Sequence, residues 1–331
     1  MKVLVTGGAG YVGSHCIRSL MAAGHEVAVL DNLCSGHRAA VAPGARLFAF
    51  DLDDCVRLDA LFDGERFDAV MHFAAFIEVG ESVRQPLRFY HNNVAKTIDL
   101  LRVMQKHSVK RLVFSSTCAI YGTPERMPLT ESMTPNPASP YARNKLAVEW
   151  MLADSAEAWG LGFAALRYFN AAGASDDGSI GEDHNPESHL IPNVLKVALG
   201  QREAVHIFGS DYPTPDGTCV RDYVHVDDLA DAHALALDAL SPGDRRFYNT
   251  GTGRGASVRE VINAARVVTG HAIPIVESPR RAGDVPVLYA DSSLVQRELG
   301  WRPRYTELKD IVASAWKWHA SHPHGYGDRG G

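Results

Sequence analysis

No apolar run among the 331 residues reaches the ~20 that a membrane-spanning helix needs, so no membrane partner is expected. Positive charge is not in excess either: 33 lysines and arginines face 39 acidic residues, for a net charge of −6, and no basic stripe is present. Nucleic acid is therefore not an expected partner, and an anionic ligand would have to be held by a few placed arginines. Cysteine is scarce. Cys16, Cys34, Cys55, Cys118 and Cys219 are scattered, odd in number and never paired as Cys-x-x-Cys, which fits free thiols in a reducing cytoplasm. The chain enters an apolar strand at residue 2, so no cleavable leader is expected. No metal site is expected: His319, His322 and His324 lie among glycines and a proline, where no regular frame holds the rings.

What the chain does carry is Val3-Leu-Val-Thr-Gly-Gly-Ala-Gly-Tyr-Val-Gly-Ser14. Val3 to Val5 read as a buried strand, Gly7, Gly10 and Gly13 follow at three-residue spacing, and helical periodicity takes over from His15. At such a turn a backbone without Cβ approaches a pyrophosphate closely, and the helix N-terminus presents N–H groups to the anion. A second strand, residues 26–30, ends in Asp31. A carboxylate about 20 residues past the turn suits a ribose 2′-hydroxyl and repels a 2′-phosphate, so the reading is NAD rather than NADP.

The pattern then repeats. Strands are expected at 46–50, 67–72, 111–114 and 163–168, and helices at 55–62, 86–107 and 139–159, the last with Ser139 as N-cap and Pro140 at its first position. Alternation of this kind defines an α/β fold with a doubly wound parallel sheet, whose ligands sit beyond the strand C-termini. Regularity fails after residue 170, where helices at 190–199, 226–240 and 257–269 and strands at 205–208 and 246–249 are expected among loops.

Tyr141-Ala-Arg-Asn-Lys145 places a phenol and an ammonium on one helix face, about 25 residues after Ser115-Ser-Thr117 at a strand end. The spacing alone is common; its position behind a cofactor-binding turn gives it weight. With these residues the chain resembles the extended short-chain dehydrogenase/reductase family, in particular its UDP-glucose 4-epimerase branch. The likeness runs through Phe73-Ala-Ala75, Val79-Gly-Glu-Ser82, Asn92-Asn-Val94, Ser115 to Gly122, Arg167 to Gly173, Tyr212 to Thr218, Arg221 to Asp231 and Arg280 to Asp284.

The resemblance implies a Rossmann-type sheet with a smaller mixed α/β C-terminal substrate-binding portion. Residues 1–170 would bind NAD, with 226–250 returning to that sheet; 171–321 would mainly bind a UDP-hexose, and 322–331 would be a flexible tail. It implies reversible C4 epimerisation of UDP-glucose and UDP-galactose through a 4-keto sugar, with NAD tightly bound as transient hydride acceptor. Tyr141, Lys145 and Thr117 would be catalytic. Gly7, Gly10, Tyr11, Val12, Gly13, Asp31, Asn32, Cys34, Ser35, Asp51, Leu52, Phe73, Ala74, Ala75, Asn92, Ser115 and Tyr168, with Tyr141 and Lys145, would line NAD. Phe169, Asn170, His189, Leu190, Val205, Phe208, Arg221, Tyr223, Arg281, Asp284 and Leu288, with Thr117 and Tyr141, would contact the UDP-sugar. The family commonly forms homodimers through helices like 86–107 and 139–159.

Two positions depart from relatives. Ile77 stands where several carry a lysine, and Leu288 occupies the position that gates the sugar 2-substituent, intermediate between a large aromatic and a small residue. Related dehydratases carry an Asp-Glu pair where this chain has Thr117-Cys118, so dehydration is disfavoured. Rival readings are a 4-epimerase of another UDP-sugar (uronate, pentose or N-acetylhexosamine), a non-catalytic NAD-binding regulator and an NADPH-dependent reductase. The trio of Thr117, Tyr141 and Lys145 argues against the second and Asp31 against the third.

Overall fold

Short apolar runs separated by helices at βαβ spacing generate a sheet of seven strands in a computed structural model that describes residues 1–281 and 284–328. Two compact units are formed, one from Met1–Gly122, Glu131–Arg167 and Ala230–Tyr248, the other from Thr123–Thr130, Tyr168–Leu229 and Asn249–Gly331.

In the first unit, β1 (Lys2–Thr6), β2 (Glu26–Asp31), β3 (Arg46–Ala49), β4 (Ala69–His72), β5 (Arg111–Ser115) and β6 (Gly162–Tyr168) pair in parallel. Their order is β6-β5-β4-β1-β2-β3, with the strand Arg245–Thr250 beside β6. The strand order reverses between β1 and β4, and in doubly wound sheets the ligand crevice opens at that switch. Thr6 is in register with Leu30 on one side and His72 on the other, so the turn leaving β1 and the loop leaving β4 emerge side by side. β1, β2, β4, β5 and β6 are buried on both faces, which explains their near-continuous apolar sequence, while the edge strand β3 stays partly exposed. Leu4, Leu30, Val70, Leu112, Phe114 and Phe163 belong to one core with Leu58 and Phe62 of α2 (Cys55–Glu65) and Leu152 of α6 (Pro140–Trp159).

The helical stretch expected over 86–107 runs without a break from Pro86 to Lys106, but as α4 (Pro86–Tyr90), a π-turn over His91–Ala95 and α5 (Lys96–Lys106), preceded by α3 (Val79–Arg84). The wider turn aims Asn93 inward. Its Oδ1 accepts from the Phe76 N–H at 2.8 Å and its Nδ2 donates to the Phe76 carbonyl at 3.0 Å, pinning the loop after β4. Helical periodicity carries no sign of one inserted residue, which is why the sequence reads as continuous.

The second unit contains the expected strand Val205–Phe208 and further short strands that the sequence does not announce. Val220–His225 lies between Gly255–Ser257 and Val287–Leu288, and Asn170–Ala172 also pairs with it. A separate pair joins Val205–Phe208 to Ile275–Ser278. Helices Leu190–Ala198, Val258–Thr269 and Leu308–Ser321 supply the core with Ile191, Leu195, Val261, Ile262, Ile311 and Val312. Residues 322–326 are tied down rather than trailing. His322 stacks on Trp318, and Tyr326 donates from its hydroxyl to the Gly181 carbonyl at 3.1 Å and from its N–H to Asp183 at 3.2 Å. Residues 329–331 of the expected tail lie outside the described residues. Among the described residues no helix is long and apolar enough to cross a membrane.

Candidate active site

The turn after β1 is built from backbone alone. Gly7 has φ +71°, and a Cβ there would come within 2.5 Å of the Ala74 nitrogen; a Cβ on Gly13 would come within 2.3 Å of the Gly7 carbonyl oxygen. Gly10 is the N-cap of α1 (Tyr11–Ala22), and no side chain caps that helix. These are the features of a cradle for a dinucleotide pyrophosphate, so the residues present fit NAD. Gly13→Ala is expected to force this turn open and lower NAD retention at least about tenfold, roughly 1.4 kcal/mol or more. Released NAD per chain after gel filtration measures it; full retention would refute the cradle.

Asp31 is buried, which pushes its pKa up, while N–H donors from Leu33 to Oδ1 (2.8 Å) and Ala9 to Oδ2 (3.0 Å) oppose that push. Each oxygen keeps a further lone pair for a ribose hydroxyl. Asn32 donates to Asp51 Oδ2 at 2.7 Å, and Lys96, absent from the sequence expectation, donates to Asp51 Oδ1 at 2.6 Å. Burial raises the Asp51 pKa, but Lys96 and Asn32 outweigh it and hold it below the usual range. Cys34 is exposed, its N–H donating to Asn32 Oδ1 at 3.0 Å and its Sγ 3.8 Å from Ser35 Oγ. Leu52 packs into the core; Phe73 lies with its ring 5.0 Å from that of His233. Asn92 donates to Asn93 Oδ1 at 3.0 Å.

Ser139 caps α6 by accepting from the Ala142 N–H at 3.2 Å, with Pro140 at the first position. The Tyr141 N–H donates to Ser82 Oγ at 3.2 Å, and Ser82 donates to the Val79 carbonyl at 2.6 Å, so α3 fixes the start of α6. Tyr141 stays half-buried, whereas Lys145 one turn on is fully buried. The Lys145 ammonium donates to the Ser115 carbonyl at 2.6 Å and lies 4.9 Å over the Phe114 ring. Burial pushes its pKa down to about 7, against the pull of Glu149. Thr117 accepts from the Ala119 N–H at 3.2 Å and caps the short 3₁₀ turn Cys118–Tyr121.

A further turn along α6, Glu149 accepts from Ser116 Oγ (2.6 Å) and, with both oxygens, from Arg167 Nε (3.0 Å) and Nη2 (2.7 Å). Arg167 also donates to Tyr121 Oη at 2.9 Å. This buried network locks α6 to the ends of β5 and β6. Sequence reasoning quoted Arg167 within a motif but missed Glu149, whose only signal is its i+4 spacing from Lys145. His72, beneath the site, is held by burial to a pKa of about 3; its ring nitrogens lie 2.6 Å from Thr6 Oγ1 and 2.9 Å from Thr97 Oγ1.

In the second unit, Asn170 is in register with Tyr223, and Arg221 with both Leu288 and Ala256. Phe169 is buried; Val205 and Tyr223 lie in the apolar core. The Arg281 guanidinium sits 4.5 Å over the Phe208 ring with its Nε 3.3 Å from Asp284, and Arg221 donates to the Val220 carbonyl at 2.8 Å. A guanidinium braced on an aromatic keeps its fork available to phosphate. His189 precedes Leu190 as N-cap of the helix Leu190–Ala198, and its Nδ1 meets Glu182 at 2.8 Å and Glu187 at 3.0 Å.

A glycine cradle at the switch point of a parallel sheet, with tyrosine and lysine on the helix before β6, defines a nicotinamide-dinucleotide enzyme of the short-chain type. The chain belongs to the NAD dependent epimerase/dehydratase family, whose model matches residues 3–251. Its relatives narrow the activity. It is 53% identical over 327 residues, 98% of each chain, to the UDP-glucose 4-epimerase of Halalkalibacterium halodurans. With that of Lacticaseibacillus casei it shares 50% over 330 residues, 99% of this chain and 100% of the relative. A crystal structure of the Stenotrophomonas maltophila UDP-glucose 4-epimerase with NAD and formylated UDP-arabinopyranose aligns with TM-score 0.93 and 42% identity, covering 98% of this chain and 99% of that one.

Proposed function

We propose that this protein interconverts UDP-glucose and UDP-galactose by inverting the hexose at C4. The observation that carries the reading is the convergence of the Gly7–Gly13 cradle, Asp31 and the Tyr141–Lys145 helix on one sheet, in a chain half identical to UDP-glucose 4-epimerases over nearly its whole length. NAD would be held by the cradle, Asp31, Asn32 and Asp51, and when bound would supply a hydride acceptor that is also the donor in the return step. Tyr141, as the phenolate, takes the proton of the 4-hydroxyl to become the phenol and returns it in the reverse step; Thr117 hydrogen-bonds the same oxygen. Lys145, anchored on Ser115, supplies positive charge on the phenol's helix face. An unperturbed phenol, pKa near 10, is mostly neutral at pH 7, so proton removal depends on such charge. Arg221 and Arg281, with Asp284, hold the diphosphate and ribose, and Phe208 faces the uracil. The purified protein should convert UDP-galactose to UDP-glucose with no added cofactor; a requirement for added NAD or NADPH would overturn the reading.

Leu288 gates the 2-substituent. It is half-buried in the strand Val287–Leu288 opposite Arg221. The expected outcome is that the wild type turns over UDP-N-acetylglucosamine slowly, and that Leu288→Tyr lowers this at least about tenfold, the size of a lost pocket of one or two methylenes. Equal N-acetyl turnover in both would refute the gate.

The protein works in the cytoplasm as a homodimer. Leu87 on α4 (81% exposed) and Trp150 on α6 (63%) leave apolar surface on helices that pack together. Trp150→Glu is expected to shift the mass measured by light scattering from two chains to one; a wild type of single-chain mass would defeat this.

A further inference from the structure

Residues 182–189 gather four polar side chains for which epimerisation has no use as a group. We propose that Glu182, His184, Glu187 and His189 form a structural zinc site. One ligand atom from each residue lies within 4.8 Å of all the others. His189 Nδ1 is 2.8 Å from Glu182 Oε1 and 3.0 Å from Glu187 Oε1; His184 Nδ1 is 3.2 Å from the same Glu182 oxygen and 3.8 Å from Glu187 Oε2. A tetrahedral zinc with bonds of about 2.0–2.1 Å separates its ligand atoms by about 3.3 Å. These four separations span that value but draw on both Glu187 oxygens, and with one atom per residue the ligand atoms spread over up to 4.8 Å, so side-chain adjustment has to draw the wider pairs in to complete the sphere.

Burial and charge favour an ion. The carboxylates of Glu182 and Glu187 are only 5% and 1% exposed, and buried charges require a partner. Two imidazolium rings would neutralise them, but their centroids are 5.1 Å apart and both would aim at Glu182 Oε1, placing like charges against one another. One divalent cation with two neutral imidazoles gives the same electroneutral sum without that repulsion. Glu187 Oε2 supplies a second observation: it is buried with no hydrogen-bond donor among the described residues, and 3.8 Å from His184 Nδ1 is beyond hydrogen-bond reach. Two nitrogens and two carboxylate oxygens suit zinc, and four protein ligands close the sphere, as in a structural rather than a catalytic site. The local fold supports the ring: the Glu187 side chain accepts the His189 N–H at 2.8 Å, and His189 starts the helix Leu190–Ala198.

The site also bears on the nucleotide-sugar. Ligation through Nδ1 fixes the proton of His189 on Nε2, making its 37% exposed ring a hydrogen-bond donor toward an oxygen acceptor. That consequence rests on the proposed function; the metal site does not.

The test uses the full chain without a polyhistidine tag, loaded with zinc and dialysed, and then stripped and titrated with Co(II). Expected are one zinc per chain by plasma mass spectrometry, an intense visible band from tetrahedral Co(II), and a raised thermal midpoint with either metal. His184→Ala and Glu187→Gln should each reduce retained zinc below about one tenth of wild type while still carrying NAD, which reports that the first unit is folded. Substoichiometric zinc with no cobalt band, or a band unchanged in both variants, would overturn the site and leave a proton-charged ion-pair cluster. None of these readouts depends on epimerisation, so an inactive but zinc-loaded protein would count against the proposed function alone.

Discussion

Tyr141→Phe is expected to lower kcat for UDP-galactose by about 10²–10⁴-fold, the range for loss of a positioned acid–base group, while bound NAD per chain stays at the wild-type level. The argument is one of position. Ser139 and Pro140 start the helix at a defined residue, Ser82 holds the Tyr141 N–H, and Lys145 four residues on is clamped to Ser115. Removing one hydroxyl from the half-buried ring leaves all three ties in place, because they run through backbone or through other side chains. The variant therefore tests the proton-transfer role with the fold held constant. KM should change little, since the nucleotide is assigned to Arg221 and Arg281. A loss of less than threefold with NAD retained would assign the proton transfer elsewhere.

Glu149→Ala is expected to cost about 3–5 kcal/mol of stability, the penalty for leaving one member of a buried ion pair unpaired. Glu149 accepts from Ser116 and doubly from Arg167, and none of the three has solvent to turn to. Burial lowers the Arg167 pKa, but Glu149 outweighs it and holds it above its ordinary value; without Glu149 an uncompensated guanidinium stays inside. Urea unfolding followed by tryptophan fluorescence measures the loss, with Glu149→Gln as the milder comparison because it keeps an acceptor.

The same change has a kinetic signature. Burial lowers the Lys145 pKa to about 7 and Glu149 raises it, so deleting Glu149 drops it further. The sign follows: a depressed lysine favours its neutral form, so the ammonium survives only at lower pH, and the alkaline limb of the kcat profile should move to lower pH. A stability change under 1 kcal/mol together with an unmoved profile would show that Arg167 finds another partner.

The chain by itself determined what is local. Glycines at 7, 10 and 13 behind a strand admit one backbone turn, an acidic residue at the end of the next strand stands beside that turn, and Ser139-Pro140 announces a helix that puts Tyr141 and Lys145 on one face. In each case the physical signal, a forbidden Cβ, a fixed φ or a 3.6-residue period, lies within a few neighbours.

Tertiary structure alone decided what depends on distant partners. Strands of three and two residues, Asn170–Ala172 and Val287–Leu288, exist because Val220–His225 offers its edges. The π-turn at His91–Ala95 exists because Asn93 must satisfy Phe76. Lys145 is buried against the Ser115 carbonyl and that burial lowers its pKa to about 7, and Glu149 meets Arg167 across 18 residues. Glu182, His184, Glu187 and His189 were readable as residue types but not as a cluster, since no regular period runs through that loop. Sequence spacing specifies which atoms share a turn or a face; burial and partnership across the chain arise only when separate segments exclude water together, and these set charge states and close the site.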